Sequence, residues 1–159
     1  MVDIIKQRMT AEVKGDVVVF LIGLRINKLW KIHKWWPVAM AMPRMINELY
    51  KNPDLGFISH EQWAGRTTIM VQYWKSFEHL ENYAKNRTSS HLPAWADFNK
   101  KIGSNGDVGI WHETYLSKQG SCESVYNNMP MFGLAKATNC VPATGKYQSA
   151  SDRIKHRNN

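Results

Sequence analysis

Hydrophobic positions along this chain change period in a definite order, and the order predicts a fold. Residues 17–26, VVVFLIGLRI, are apolar on both alternations and bounded by Gly15-Asp16 and Asn27, which predicts a central strand buried on two sides. From about Pro37 the period turns helical: Val38, Met42, Met45, Ile46 and Leu49 share one face, Arg44, Asn47, Glu48 and Lys51 the other. Pro37 suits a first helical turn, Pro43 predicts a kink or restart because it lacks a backbone donor, and Asn52-Pro53-Asp54 ends the helix. Two strands follow, 55–63 and 66–74, joined near Ala64-Gly65 as an antiparallel hairpin. On the second, Ile69, Val71 and Tyr73 face one way and Thr68, Met70, Gln72 and Trp74 the other, so neither face reads as solvent.

Ser76 is placed to cap a helix running through Lys85, with Phe77, Leu80 and Ala84 inward. Ser89 or Ser90 can cap another from His91 to about Lys101, where His91, Trp95, Phe98 and Ile102 form a stripe. Gly103 to Gly106 closes it, and 107–116 reads as a fourth strand. The β-α-β-β-α-β order predicts a ferredoxin-like α+β domain with helices on one face of a four-stranded antiparallel sheet. Its other face would be bare, and burying it against a second copy predicts a homodimer. After Gly120 turn pairs dominate. A short strand is expected near 122–126, YNNMPMFGL should pack on the body, and the last ten or so residues should be mobile. The expected organisation is therefore an N-terminal extension 1–15, a domain 16–136 and a partly mobile C-terminal extension 137–159.

Composition narrows the functional classes. A chain of 159 residues with 43% hydrophobic and 21% charged residues suits one globular domain. Its longest apolar runs, 17–24 and 35–42, are too short to cross a bilayer, and the first sixteen residues mix charges unlike a secretory leader, so a cytoplasmic location is expected. Cys122 and Cys140 have no metal-site spacing and read as ordinary thiols. The formal charge of +8 is concentrated in the tail and around residues 25–34, while four of the seven tryptophans fall in or beside predicted regular structure with hydrophobic neighbours, as core rather than as base-stacking platforms, which disfavours nucleic acid.

The segments VQYWKSFEHLENYAKN, SSHLPAWADFNKKIG, DVGIWHETYL and YNNMPMFGLAKA, in that order, resemble a poorly characterised monooxygenase-like family of the dimeric α/β-barrel superfamily. The resemblance covers about 16–136. It implies a side-by-side dimer with a pocket between each sheet and its overlying helices or loops. That superfamily contains cofactor-free antibiotic-biosynthesis-type monooxygenases, and also haem enzymes such as dye-decolourising peroxidases and aldoxime dehydratases. The expected function is a monooxygenase-like reaction on a hydrophobic organic substrate without a cofactor. The alternatives are a haem enzyme of the aldoxime dehydratase or peroxidase type and a noncatalytic small-molecule-binding or scaffold dimer.

Candidate chemistry rests on histidines. His91 opens a helix and His112 shares a strand face with Val108 and Ile110, so both are candidate catalytic groups, as proton acceptors or haem ligands. His60 is a weaker candidate. No His-x-His, Cys-x-x-Cys or His-Glu-x-x-His spacing occurs, and no protein-only metal site is expected. The pocket is expected between the sheet and a layer formed by the first helix and the 126–134 loop. Trp36, Met40, Trp95, Tyr126, Asn127, Met131 and Phe132 are its expected substrate-binding lining, with Trp30, Trp35 and Met42 as further apolar roof residues and Asn128, Arg25 or Arg66 as further polar groups.

Overall fold

A computed structural model describes residues 3–86 and 91–155; the side chains of His91, Trp95, Lys101 and Lys155 lie outside the described residues. Strand β1 spans Met9–Glu12 and β2 Val17–Ile26. Helix α1 spans Ile32–Lys51, β3 Phe57–Trp63 and β4 Ile69–Trp74. Then come α2 (Phe77–Lys85), α3 (His91–Lys101) and β5 (Val108–Ser117). The chain ends with α4 (Gly133–Ala137), β6 (Asn139–Pro142) and α5 (Ala150–Lys155).

The main sheet is antiparallel in the order β3-β4-β2-β5, with β2 paired on both sides as its two-sided apolar pattern requires. This is the ferredoxin-like arrangement expected from the element order. Alternation on β2 separates two cores. Val18 joins Ile46 and Leu49 of α1, Phe57, Met70, Trp74, and Leu80 and Tyr83 of α2 beneath the helices. Trp74 is fully buried there, its ring centroid 5.4 Å from that of Phe57 and 5.8 Å from that of Tyr83.

Val17 points to the opposite face, with Tyr73, and this face is not bare. Residues on both sides of the sheet domain in sequence return to cover part of it: β1 pairs with β6, and Ala11, Val13, Leu134 and Ala135 fill a second core. A two-stranded ribbon is marginal alone and needs such packing. The layer is laced by Thr10 Oγ1 donating to the Ser124 carbonyl at 2.7 Å, by reciprocal Met9–Tyr126 backbone bonds, and by Glu61 accepting from the Gly133 N–H at 3.1 Å. The 1–15 and 137–159 extensions thus meet each other. The expected 122–126 strand is reduced to the Met9–Tyr126 bridge. In the tail, Arg153 is buried and bonds Glu123 and the carbonyls of Tyr147 and Gln148, which docks α5 up to Lys155.

Helix α1 begins five residues before Pro37 and continues through Pro43 as a single element, contrary to the expected start and break. Neither proline can donate to the carbonyl four residues back, which removes the ordinary helical partner of His33 and of Ala39. Two loops hold the start of this helix. Asp107, buried at the entry to β5, accepts from Lys28 at 2.8 Å and from Lys31 at 2.8 Å, and its carbonyl accepts the Asn27 N–H. Among the described residues no helix is long and apolar enough to cross a membrane.

Candidate functional site

The lower half of α1 packs tightly on the sheet, but its upper half does not. Met45, Ile46 and Leu49 are buried, whereas Trp36 and Met40 remain exposed. Helix α3 lies against α1 and α2. A cavity of about 1450 Å³ opens between the sheet and these three helices. Its floor is Phe20, Ile22 and Leu24 of β2, Met70 of β4, and Ile110, His112 and Thr114 of β5. Its walls include Met40, Met42 and Met45 from α1, Leu80 and Ala84 from α2, Leu92 and Phe98 from α3, and Ile102 just beyond it. Small residues make the space: Ala39, Ala41, Ala84 and Ala94 all line it, where larger side chains would have closed the layer. The lining is mostly apolar, with flexible methionines that adapt to a ligand's shape.

Polar groups are few and placed apart. His33 and Lys34 lie at the N-terminal end of α1 and Arg44 lies ten residues beyond Lys34, about 15 Å along the helix at 1.5 Å per residue. Gln62 and Thr68 come from the hairpin, and Glu81 and Asp97 from α2 and α3. His112 is opposite Ile22 in the β2–β5 ladder, and its ring lies 5.7 Å from Phe20 at an interplanar angle of 43°. It is exposed to the cavity mouth and makes no hydrogen bond to protein among the described residues. An imidazole so placed keeps a ring nitrogen available to accept a proton or to ligate a metal centre.

The expected lining divides by sheet face. Trp36, Met40, Met42 and His112 do meet in the cavity. The backbone of His91 and Trp95 belongs to α3, but their side chains lie outside the described residues. Tyr126, Met131 and Phe132 belong to the opposite face: Tyr126 packs on the second core, and the Phe132 ring stacks edge-on against Trp63 at 6.0 Å. Asn127 and Asn128 are exposed in the same segment, with Asn128 in the left-handed region. The 126–134 loop is therefore not a roof of this cavity. Its aromatic and methionine content signalled packing on the body but carried no information about which face. Trp30 is 75% exposed, and Trp35 donates its indole N–H to the Leu29 carbonyl at 3.0 Å. Arg25 bonds Thr67, and Arg66 bonds the carbonyls of Ile26 and Asn27, so both fasten the hairpin to the end of β2.

His60 shares the helix-side face but belongs to an edge cluster. Its Nδ1 lies 3.0 Å from the Tyr50 hydroxyl, and burial, followed by the nearby Lys136 charge, holds its pKa below the ordinary imidazole value. Among the described residues no group of three His, Cys, Asp or Glu side chains could hold a metal ion. His33, which the sequence places beside the junction tryptophans, lines the cavity because α1 starts earlier than Pro37, whereas Gln72 of β4, whose role the sequence does not signal, lines a smaller adjoining pocket.

Residues 17–134 match the family described as Monooxygenase af470-like. The chain belongs to that family. Monooxygenase af470 of Aspergillus fumigatus is 29% identical over 154 residues, covering 80% of this chain and 53% of that protein. The chain thus spans about half the length of this curated relative. Among solved structures, aldoxime dehydratase OxdRE in complex with butyraldoxime has a TM-score of 0.67 at 13% identity, over 84% of this chain and 40% of its own. A second aldoxime dehydratase gives 0.63 at 15% identity, over 90% of this chain and 45% of its own. SnoaB, a cofactor-independent oxygenase from Streptomyces nogalater, aligns over 65% of this chain with a TM-score of 0.46 at 13% identity. At these identities the two aldoxime dehydratase matches, both with TM-scores above 0.6, establish a shared fold and nothing further.

Proposed function

We propose that this protein is a monooxygenase-type enzyme that oxidises a large hydrophobic substrate in the cavity between the sheet and α1–α3, with His112 as proton acceptor. The observation that carries this reading is the His112 imidazole, without a hydrogen-bond partner among the described residues and set beside Phe20 in a wide apolar cavity. A volume of about 1450 Å³ exceeds the roughly 300–1,000 Å³ of ordinary ligand pockets, which favours an extended or polycyclic molecule. In the cofactor-free form of the reaction, His112 takes a proton from an acidic, electron-rich methylene carbon. The resulting carbanion supplies electrons to dioxygen, a carbon–oxygen bond forms, and the peroxide loses water, so that one CH2 and one O2 give one C=O and one H2O. A bound hydrophobic substrate would displace water from the otherwise exposed His112, so that charge generated there develops in apolar surroundings.

Oxygen uptake with anthrone, an apolar carbon acid, tests the reading. His112→Ala should lower turnover about 10²- to 10⁴-fold, the usual contribution of a general base, and turnover should cease without oxygen. Unchanged turnover in either experiment overturns it.

A haem reading draws on the same cavity. The cavity volume would admit haem, His112 or His33 would offer an imidazole to its iron, and Arg44 would offer a cation to a carboxylate side group. Bound haem would supply the redox or Lewis-acid chemistry, leaving the chain to ligate it and enclose the substrate. A Soret band in purified protein that disappears in His112→Ala favours this reading over the first. Either version includes a homodimer formed through the uncovered part of the outer face, where Leu21, Trp111 and Tyr115 lie, and light scattering that gives a monomer at micromolar concentration overturns that part.

A further inference from the structure

Beneath the large cavity lies a side pocket of about 40 Å³ that shares Phe20, Ile22 and Met42 with it and is also lined by Gln72. Gln72 is only 4% exposed, a primary amide set into an otherwise apolar core. Its orientation is fixed by a neighbour. The Trp74 indole N–H is 2.9 Å from one amide atom, and because an indole can only donate, that atom is the oxygen. The amide nitrogen consequently points the other way along β4, toward Met70, which forms part of the cavity floor.

That nitrogen carries two hydrogens, yet its protein partner is the Met70 thioether at 3.3 Å, a weak acceptor. Buried amides ordinarily find stronger partners, and one that does not calls for an explanation. We propose that Gln72 is a specificity-determining residue whose Nε2 donates to a carbonyl or ether oxygen of an elongated apolar substrate. The side pocket has room for an oxygen-sized group, since roughly 10–15 Å³ of such space already admits a water. Phe20 separates Gln72 from Thr114 across β2, so Gln72 stands two strands, or about 10 Å, from the strand that carries His112. The anchoring oxygen and the reacting carbon are therefore different parts of one ligand. This inference rests on the cavity being the substrate site.

The test uses 2-undecanone and 2-methyl-1-undecene, in which a CH2 group replaces the carbonyl oxygen, each displacing Nile red from the whole protein. The affinity of the ketone relative to the alkene should fall about five- to tenfold in Gln72→Met, and comparing ratios cancels the different hydration of the two probes. In wild-type protein the carbonyl infrared band of bound 2-undecanone should lie below its position in hexane, which tests the hydrogen bond even where Gln72→Met does not fold. An unchanged ratio, or a bound carbonyl band at the hexane position, overturns the inference and leaves the cavity reading standing. Failure of both probes to bind overturns the two together.

Discussion

Gly23 offers a sharp test of how the sheet is closed under the cavity. A Cβ built there would lie 2.0 Å from the Thr68 carbonyl oxygen and 2.7 Å from the Trp111 indole nitrogen. Non-bonded atoms meet comfortably near ~3.5 Å, so Gly23→Ala requires a displacement of about 1.5 Å against backbone, which has no rotamer into which to retreat. The same stretch carries the Thr68 N–H to Leu24 carbonyl bond at 2.8 Å and the Leu24 N–H to Thr68 Oγ1 bond at 3.0 Å. Overpacking costs about 1–3 kcal/mol and a weakened hydrogen bond about 1 more, giving a loss of roughly 3 kcal/mol. At about 2–4 °C per kcal/mol for a chain of this size, Tm should fall by roughly 6–12 °C.

Gly109, across the β2–β5 ladder, supplies the control. A Cβ there would meet the Arg25 Cβ at 3.7 Å, an ordinary contact, and its backbone is not in the left-handed region. Gly109→Ala should therefore be neutral or stabilising by about 0.5–1 kcal/mol, because alanine fits a strand better than glycine. Urea unfolding followed by tryptophan fluorescence measures both variants. A loss below 1 kcal/mol for Gly23→Ala, or equal losses for the two, refutes the argument that close backbone approach requires Gly23.

Ser59 is 4% exposed and its hydroxyl has no partner among the described residues, so Ser59→Ala should raise stability by about 1 kcal/mol in the same urea assay, against the usual direction of core substitutions. The Asp107 carboxyl is held down to about 2, first by its bond to Lys28 and then by that to Lys31. Because the folded value lies below the unfolded one, its contribution is present above the ordinary carboxylate range and is lost as pH falls toward 2; the Tm gap between wild type and Asp107→Asn should be open at pH 6 and closed near pH 2. A gap independent of pH would mean that the lysines do not act through the charge of Asp107.

The parts of this molecule legible in its sequence are those whose signal is local. The two-sided apolar run of β2, the Ser76 cap that accepts the His79 N–H, and the alternation around His112 each state their own structure within a few residues. The start of α1 was not local in that sense: Pro37 looks like a first turn, but Lys31 bonded to Asp107 holds the preceding residues in place, and that partner is 76 positions away. Placement of the 126–134 segment was likewise set by distant contacts, to Met9, Glu61 and Trp63. The cavity could not be read from spacing because it arises from what the helices fail to fill. Ala39, Ala41 and Ala84 are excellent helix formers and reveal nothing as residues; only when α1, α2 and α3 are laid over one sheet face do their missing side chains become a volume. The same geometry gives Gln72 its significance. On a strand with two buried faces its amide looked like one more inward position, and only the donor-only Trp74 indole determines that its amide nitrogen is turned toward the cavity floor.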